Sequence, residues 1–494
     1  MVRVLFTYKG PEALGIEYLS AYLKKAGHQT DLLIDPSMDV YLNSRVQGAN
    51  QERVMERFLL KVKRFKPDLL AFSAVTNTIQ WNSEIMARYR EYSDVPIIIG
   101  GVHPTILPEQ VLKRTTADMV CLGEGEDAFL ELAGRIEAGK EYKDIANIWV
   151  KEKNGSIIRN DMRPLRENLD SLPLPDRDIF AQYGMVGNRA YIISGRGCPY
   201  QCTYCFNHVY RELYRSKGKW VRRRSSENVL EELRQYKAKY GLKTVHFMDD
   251  DFTLDAKWLK EFCQRYKEEF NLPFHALIRA NDVTPEVILA LKSANCRDLG
   301  FGLEAGAPEI RNGVMKRNMT DETILYAANL IKKAGINLST FNMFGMPGET
   351  PNHMMKTVNM NYQIKTDTIF SYLFYPFPGT QLLDICYSEG MITDEIYEDI
   401  LNGRGGYHLK SVINHPYEDF AREAKFILPL LNKAPQFIKR HSQKIIQIST
   451  KMKSRLKNDM FQGIGNLLFY AWDFPYRFKI MNRTRRQFWK VTAP

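Results

Sequence analysis

Short apolar runs alternate with amphipathic, helix-like stretches along most of this chain, in two successive series. The first series predicts strands at 2–7, 30–35, 68–73, 96–101 and 119–124. The second predicts strands at 190–195, 244–249, 274–279, 298–304, 337–345 and 368–375, with helices near 226–240, 255–270, 284–294, 321–334 and 351–364. Such alternation produces parallel sheets covered by helices. We therefore predict an α/β fold, a doubly wound Rossmann-like domain followed by a partial (βα)6 TIM barrel.

The same pattern divides the chain into four segments. Residues 1–140 form the doubly wound domain, and 141–188 are interpreted as a connector that contains a hairpin turn at Asn154 and Gly155. Residues 189–385 form the barrel. The pattern is helical from there on, so we predict a helical, basic C-terminal region at 386–494.

Cysteine usage limits the class of protein. The chain has seven cysteines, an odd number, and three of them lie within eight residues. This arrangement is typical of a metal or redox site in a reducing compartment rather than of a disulfide framework. No stretch has the roughly 18 apolar residues that a membrane span needs, and the first residues lack the features of a signal peptide. We expect a cytoplasmic protein.

Positive charge is concentrated near the C-terminus. Residues 433–494 contain 14 Lys and Arg and only two acidic residues, which accounts for the whole net charge of +12. Aromatic side chains are interleaved with these cations, mainly at 460–478. The composition favours peripheral contact of 433–494 with an anionic membrane, on the inner membrane face. Nucleic acid is the rival partner, and a helical cap on the barrel is the third interpretation.

A cysteine triplet is the strongest chemical signal in the sequence. Cys198, Cys202 and Cys205 are spaced by four and three residues in the loop that follows the first predicted barrel strand. Three such thiolates hold three irons of a [4Fe–4S] cluster and leave the fourth iron open to a ligand. Zinc is the competing metal, because His208 offers a fourth ligand nearby.

This CxxxCxxC motif, in the first βα loop of a six-unit barrel, resembles that of the radical S-adenosylmethionine (SAM) superfamily, over about residues 185–385. The resemblance implies that the open iron binds SAM and that one electron from the cluster cleaves SAM to a 5′-deoxyadenosyl radical. It also implies SAM-binding roles at the strand ends for Tyr204, Phe206, Asp249, Asp250, Arg279, Glu304, Gly345 and Glu349. Several members have Gly-Gly-Glu where this chain has three aspartates, so which of residues 249–251 contacts SAM stays open. A helix cap for the acids, and a salt bridge between Arg279 and Glu304, are the structural alternatives.

The doubly wound domain ahead of the barrel resembles that of cobalamin-binding radical SAM enzymes. The resemblance implies that small residues after the third and fourth strands make room for the nucleotide tail of cobalamin. The predicted cobalamin site comprises Lys9, Ser73, Thr76, Gly100, Gly101, His103 and Glu124. The first loop, 7–12, lacks the His of the DxHxxG pattern, which leaves either a cobalt without a His ligand from this loop or a domain that has lost the cofactor. We expect His103 to contact the cofactor without binding cobalt.

The predicted activity follows from this resemblance, which extends to the anaerobic magnesium-protoporphyrin monomethyl ester cyclase and class B methyltransferase group. It implies a radical SAM enzyme, most simply a methyltransferase, with a [4Fe–4S] cluster, SAM and cobalamin as cofactors. We expect methylation of an unactivated carbon of a small-molecule or lipid-like substrate, with electrons from a reductant protein such as a flavodoxin or ferredoxin. Oxidative cyclisation or rearrangement is the alternative, and a non-catalytic cobalamin or iron–sulfur carrier or sensor is a further one. The methylthiotransferases resemble a design with three more cysteines upstream, whereas here only Cys121 precedes the triplet.

Overall fold

A computed structural model describes residues 1–36, 47–404 and 411–456. The strands of the first sheet are β1 (Arg3–Lys9), β2 (Gln29–Asp35), β3 (Leu69–Ser73), β4 (Ile97–Gly100), β5 (Met119–Cys121), β6 (Ile148–Lys151) and β7 (Ile157–Ile158). Its helices are α1 (Leu14–Lys25), α2 (Gln47–Phe65), α3 (Ile79–Arg90), α4 (Val102–Ile106), α5 (Pro108–Arg114) and α6 (Glu126–Glu137).

The first sheet has the order β2-β1-β3-β4-β5-β6-β7. Its first five strands are parallel, which confirms the doubly wound prediction. The hairpin predicted at Asn154 and Gly155 is present as the antiparallel pair β6–β7, and Gly155 has a φ of 87° that suits the turn. Because β6 also pairs with β5, this hairpin of the predicted connector extends the first sheet.

The second half contains β8 (Arg189–Ile192), β9 (Gly195–Arg196), β10 (Arg222–Arg223), β11 (Thr244–Phe247), β12 (Phe274–Ile278), β13 (Cys296–Glu304), β14 (Asn337–Phe344) and β15 (Thr368–Leu373). Its helices are α7 (Asp178–Ala181), α8 (Phe206–Leu213), α9 (Ser226–Tyr240), α10 (Ala256–Glu269), α11 (Pro285–Ser293), α12 (Asp321–Lys333) and α13 (Pro351–Gln363), and Glu309–Val314 forms a π-helical turn.

Six parallel strands form the second sheet, in the order β15-β14-β13-β12-β11-β8. This is the predicted six-unit partial barrel. Side chains that face the helices, such as Val245 and Phe247, are fully buried in an apolar core, whereas His246 between them is only half-buried. Alternate residues of a strand point to opposite faces. The strands therefore separate a dry outer core from a more accessible lumen.

The carboxyl ends of the two sheets face each other. Gly379, after β15, packs so closely that a Cβ there would lie 2.5 Å from Ile106 of α4. The backbone N–H of Glu124, after β5, donates to the hydroxyl oxygen of Tyr214, just beyond α8, at 2.8 Å. Loops at the strand ends of both sheets thus share one interface, where a ligand of either domain meets the other domain.

A buried ion cluster fixes this arrangement. Arg177, just before α7, binds Glu12 at 2.8 Å and Glu17 at 2.7 Å in the first domain, and Glu232 of α9 at 2.5 Å. Arg224 binds the other oxygen of Glu232 at 2.6 Å. Removing one member of such a cluster leaves a buried charge without its partner, which is strongly destabilising. The cluster therefore joins the connector to both sheets.

Helices follow the barrel, as predicted for the C-terminal region: α14 (Gln381–Ser388), α15 (Asp394–Leu401), α16 (Glu418–Asn432), α17 (Gln436–Lys439) and α18 (Ser442–Leu456). Helix α16 packs on β14 and β15, and Ile446 of α18 is buried in the same apolar cluster. Within the described ranges, no helix is long and apolar enough to cross a membrane. The aromatic segment 460–478 lies outside the described residues.

Candidate active site

The three cysteines of the triplet lie in the loop between β9 and α8, at the carboxyl end of the second sheet. Cys202 is buried, and Cys198 and Cys205 are partly exposed. Burial raises the pKa of the Cys198 thiol to about 12 and that of Cys205 to about 11, so metal binding must displace these protons. Cys205 is the N-cap residue of α8, and its sulfur accepts a hydrogen bond from the backbone N–H of Asn207 at 3.5 Å.

Two arginines point at one of these sulfurs. The Nη1 atoms of Arg279 and Arg317 lie 3.9 Å and 4.0 Å from Cys202 Sγ. The other contacts of Arg279 are neutral: its guanidinium stacks 3.7 Å from the Tyr200 ring centre, and its Nε donates to Asn281 at 3.1 Å. In the part of the chain that the structure describes, this buried guanidinium forms no ion pair with a carboxylate. Since a buried cation needs a counter-charge, the site is suited to an anionic group.

Arg317 connects the cysteine loop to the fourth barrel strand. It donates to the Tyr204 hydroxyl and, through Nη2, to the Gly302 carbonyl at 2.6 Å, and its Nη1 lies 3.7 Å from Glu304 Oε1. The Tyr204 hydroxyl is itself 3.4 Å from Glu304 Oε1. Burial raises the pKa of Glu304. The structure thus brings Tyr204, Glu304 and Arg279 to one site and adds Arg317, which the sequence analysis missed. That these residues bind SAM stays a prediction.

The three aspartates after β11 are placed differently from one another. Asp249 is buried and accepts hydrogen bonds from the Ser194 N–H at 3.1 Å and the Ser194 hydroxyl at 2.6 Å. Asp250 is exposed and accepts from the Asn207 side chain at 3.0 Å, beside the last cysteine. Burial raises the pKa of Asp251 to about 7. Of the three, Asp250 therefore offers the most accessible carboxylate beside the cysteine loop, while Asp249 orders the β8–β9 turn.

The remaining SAM-site predictions have local partners. The Phe206 ring packs against Phe377, with ring centres 5.1 Å apart. Gly345 has a φ of 82°, and its N–H donates to Glu349 at 2.7 Å, while the Met346 N–H donates to the same oxygen at 3.1 Å. Burial raises the pKa of Glu349 to about 8. Glu349 therefore shapes the loop after β14, and its direct contact with SAM stays a prediction.

A small cavity of about 60 Å³ lies at the carboxyl end of the first sheet. Three of the predicted cobalamin residues line it, namely Ser73, Gly100 and Gly101, together with residues that the sequence analysis did not select, among them Cys121, Gly123 and Gly125. The backbone requires glycine at position 101 but not at position 100. Gly101 has a φ of 102°, and a Cβ there would lie 2.5 Å from the Ala74 carbonyl oxygen, whereas a Cβ on Gly100 would make only an ordinary contact of 3.6 Å.

Lys9, Thr76 and His103 are buried but are not among the residues that line this cavity. Lys9 Nζ lies 3.4 Å from Asp35 and 5.9 Å from the centre of the Trp81 ring. His103 Nδ1 lies 3.3 Å from the Thr76 hydroxyl, and burial lowers the pKa of His103 to about 4. His103 is therefore neutral at neutral pH and held by a turn residue. That it contacts the cofactor without binding cobalt stays a prediction.

Glu124 is held by arginines from the other half of the chain. Its carboxylate lies 2.6 Å from Arg222 and 3.2 Å from Arg196. Arg196 also binds Glu126 at 2.6 Å. These ion pairs satisfy Glu124 at the domain interface, so a contact between its carboxylate and cobalamin stays a prediction.

Comparisons with known proteins agree with this division into two sites. The B12 binding domain family matches residues 7–133, and the radical SAM superfamily matches residues 192–360. The chain is 29% identical over 397 residues to an uncharacterized methyltransferase of Pyrococcus horikoshii, an alignment that covers 79% of this chain and 81% of the relative. It is 23% identical to the cytidylyl-2-hydroxyethylphosphonate methyltransferase of Streptomyces wedmorensis, over 77% of this chain and 79% of the relative. It is 24% identical to the anaerobic magnesium-protoporphyrin IX monomethyl ester cyclase of Rubrivivax gelatinosus, over 77% and 69%.

Solved structures share the fold. The radical SAM methyltransferase TsrM of Kitasatospora setae superposes with a TM-score of 0.64 at 18% identity, over 79% of this chain and 77% of that one. The cobalamin-dependent radical SAM enzyme OxsB superposes with a TM-score of 0.67 at 15% identity, over 96% and 75%. The two-domain architecture with helices after the barrel is therefore an established one.

The residues at both sites fit the cofactors that these domains imply. Three thiols in one loop, beside a buried Arg279 without a carboxylate partner, suit a thiolate-bound cluster and the carboxylate of SAM. The cavity beside Gly100, which a larger residue would fill, is the opening at the strand ends where the nucleotide tail of cobalamin would enter.

Proposed function

We propose that this chain, a radical SAM enzyme with a B12-binding domain, methylates an unactivated carbon of a largely apolar substrate. The chain belongs to the cobalamin-dependent radical SAM methyltransferase family, which supports methyl transfer as the reaction. The observation that carries the substrate class is the lining of the barrel lumen. Seven of its lumen-facing side chains are partly exposed and uncharged, and most of them are aromatic or aliphatic: Tyr191, His246, Met248, Leu277, Phe341, Phe370 and Tyr372. The charged side chains of Arg189 and Asp298 lie on the same face, at the lower end of the strands.

Aromatic pairing shapes the upper part of this lumen. Phe341 and Phe370 stack with ring centres 5.1 Å apart, on neighbouring strands. Met248, directly after β11, is 45% exposed, which is unusual for a methionine beside an enzyme core. Partly exposed apolar side chains in a concave site are suited to an apolar ligand. Once a substrate fills the lumen, such an aromatic wall also keeps water away from a reactive radical.

A polar row crosses the lower part of the lumen. Tyr191, His246 and His275 are register neighbours on β8, β11 and β12, with successive ring centres 5.7 Å and 5.2 Å apart. His275 Nδ1 lies 2.8 Å from Asp298 of β13. Burial lowers the pKa of His246 to about 3, so its imidazole is neutral. This row supports a substrate with an apolar body and hydrogen-bonding groups at one end.

When bound, the cluster, SAM and cobalamin supply the one-electron cleavage of SAM and the methyl group that is transferred. In this proposal Cys198, Cys202 and Cys205 hold the cluster, and Arg279 binds the SAM carboxylate. The cavity beside Gly100 holds the nucleotide tail of cobalamin. The opposed strand ends of the two sheets then bring both cofactors to one lumen. A flavodoxin or ferredoxin is the proposed electron donor.

Product mass tests the activity and the substrate class together. Anaerobically reconstituted enzyme is incubated with SAM that carries a deuterated methyl group, and with apolar and polar fractions of a cell extract in separate reactions. We expect labelled product from the apolar fraction, and none with Cys202→Ala. Label found only in the polar fraction would refute the apolar substrate class. A product that has lost hydrogen and gained no methyl group would support oxidative cyclisation, the second candidate, which the 24% identity to a cyclase favours.

Membrane contact is the second part of the proposal, since it would deliver an apolar substrate. On the C-terminal helices Leu430, Phe437 and Ile448 are exposed, although such side chains are usually buried. Lys439 and Lys444 lie on the same helices, and cations near an anionic surface contribute about 1 kcal/mol each. We infer that these exposed side chains of the C-terminal helices bind anionic lipid.

Liposome sedimentation tests the membrane contact with the full chain. We expect binding to phosphatidylglycerol vesicles and little binding to phosphatidylcholine vesicles. The double variant Phe437→Ser/Ile448→Ser should reduce binding, while Tyr92→Ser, a change at an exposed tyrosine of the first domain, should not. Equal binding by all three proteins would reject these residues as the contact.

A further inference from the structure

Arg279, after β12, and Arg317, after the π-helical turn, reach the same cysteine sulfur from two different loops. We propose that this guanidinium pair raises the reduction potential of the iron–sulfur cluster by stabilising the additional negative charge of its reduced form. Arg317 is then a positioning and tuning residue, in addition to any SAM contact of Arg279. The inference rests on the assignment of the cluster to the cysteine triplet.

The guanidinium groups of the pair contact one of the three cysteine sulfurs. Cys202 is approached by both guanidinium groups, at 3.9 Å and 4.0 Å. Cys205 accepts only amide donors, from the backbone and the side chain of Asn207 at 3.5 Å and 3.7 Å. The positive charge is therefore concentrated on the middle cysteine, which is also the most buried of the three.

The charge of the pair is not cancelled by its surroundings. Arg279 has neutral partners apart from Cys202, and Glu304 is the carboxylate near Arg317, at 3.7 Å. Among the described residues, Arg317 Nε is buried and has no hydrogen-bond acceptor. Two cations and one carboxylate leave a positive excess around Cys202, where burial strengthens the attraction for negative charge. The Asp250 carboxylate acts instead on Cys198 and Cys205.

Backbone conformation indicates that the position of Arg317 is imposed by its surroundings. Lys316 and Asn318, the residues on either side, have φ values of 50° and 52°, and Glu304 has a φ of 60°. Such left-handed residues other than glycine are uncommon and cluster at functional sites. The preceding π-helical turn, Glu309–Val314, is another irregularity of the kind found at functional sites.

The physical effect follows from charge. Reduction transfers one electron from the donor protein to the cluster, so that one iron equivalent is reduced and no bond is broken. Nearby cations and N–H donors to the ligating sulfurs stabilise the more negative state, and hydrogen bonds to sulfur are among the factors that set the potential of such clusters. Removing one guanidinium should therefore make the cluster harder to reduce.

A potentiometric titration followed by electron paramagnetic resonance tests this, on the full chain and without SAM or substrate. At a fixed potential near the wild-type midpoint, we expect Arg317→Met to lower the ratio of reduced to oxidised cluster about tenfold, which corresponds to 59 mV for one electron. Arg317→Lys, which keeps the charge, should lie between the two. Arg311→Lys is the matched control, because Arg311 is buried in the preceding π-helical turn and binds backbone carbonyls and Asp321 but no cysteine.

Iron and sulfide content is measured for every protein, which separates the outcomes. If the variant holds a full cluster and its midpoint equals that of the wild type, the tuning role is refuted while the proposed function stands. A wild-type protein without a cluster would refute both. Should Arg317→Met fail to assemble the cluster, Arg279→Met is titrated in its place, with the same expected direction, and an unchanged midpoint there would overturn the proposal.

Discussion

Replacing Gly100 with leucine separates cobalamin binding from the folding of the first domain. Gly100 lines the cavity at the carboxyl end of the first sheet. A Cβ at this position would meet its nearest atoms, in Cys121, at 3.6 Å and 3.7 Å, which is ordinary contact. The fold should therefore accept the side chain, which then extends into the space proposed for the nucleotide tail. At Gly101, by contrast, a Cβ would lie 2.5 Å from the Ala74 carbonyl oxygen, so a variant there would disturb the backbone as well.

The size of the effect follows from the packing penalty. Forcing extra methylene groups into a filled site costs about 1–3 kcal/mol. Since 1.4 kcal/mol is a factor of ten in affinity, the dissociation constant for cobalamin should rise roughly 5- to 150-fold. The absorbance of protein-bound cobalamin, titrated at fixed protein concentration, measures this constant. Iron content should stay at the wild-type value, because the cluster lies in the other domain.

Gly134→Leu is the matched control for this experiment. Gly134 is exposed in α6, and a Cβ there has no neighbour within 4 Å. The control should bind cobalamin as tightly as the wild type does. If Gly100→Leu also bound cobalamin with wild-type affinity, the cavity would not hold the tail and our reasoning about the first domain would fail.

Three further predictions concern single residues. Cys202→Ala should abolish formation of 5′-deoxyadenosine from SAM, measured by chromatography, while Cys263→Ala, a change in the apolar core, should leave it intact; cleavage by the first variant would contradict the cluster assignment. Glu349→Gln should remove a pH dependence of stability. Because burial raises the pKa of Glu349 from 4.5 to about 8, the carboxyl keeps its proton up to a higher pH in the native state than in the unfolded state. The wild-type free energy of unfolding should therefore fall, on the order of 4 kcal/mol, as the pH rises from 4.5 to above 8. Denaturant titrations across that pH range measure the free energy of unfolding, and an equal loss of stability in the wild type and in Glu349→Gln would contradict this prediction. His103→Gln should leave the spectrum of bound cobalamin nearly unchanged, since the neutral His103 is held by Thr76, and a large spectral shift would instead identify it as a cobalt ligand.

Local sequence patterns were sufficient to predict the architecture. Alternation of apolar strands and amphipathic helices has a short range, and it predicted both sheets, with helix α9 observed over the predicted residues 226–240. The triplet of cysteines was recognisable for the same reason, because its ligands lie within eight residues of one loop. Small residues at strand ends, such as Gly100, could be selected because the carboxyl ends of parallel strands bind ligands.

The partners of these residues depended on tertiary structure. Arg317 lies 115 residues from Cys202 in the sequence, and nothing in its neighbourhood of Lys316 and Asn318 distinguishes it from a solvated charge. Glu124 was expected to face a cofactor, but the opposed sheets bring Arg222 to its carboxylate. Sequence spacing determines which side chains share a strand end or a loop, because backbone geometry repeats over a few residues. Which distant charges meet depends on how whole sheets and helices pack, since burial makes an unpaired charge unfavourable only once the fold has removed it from water.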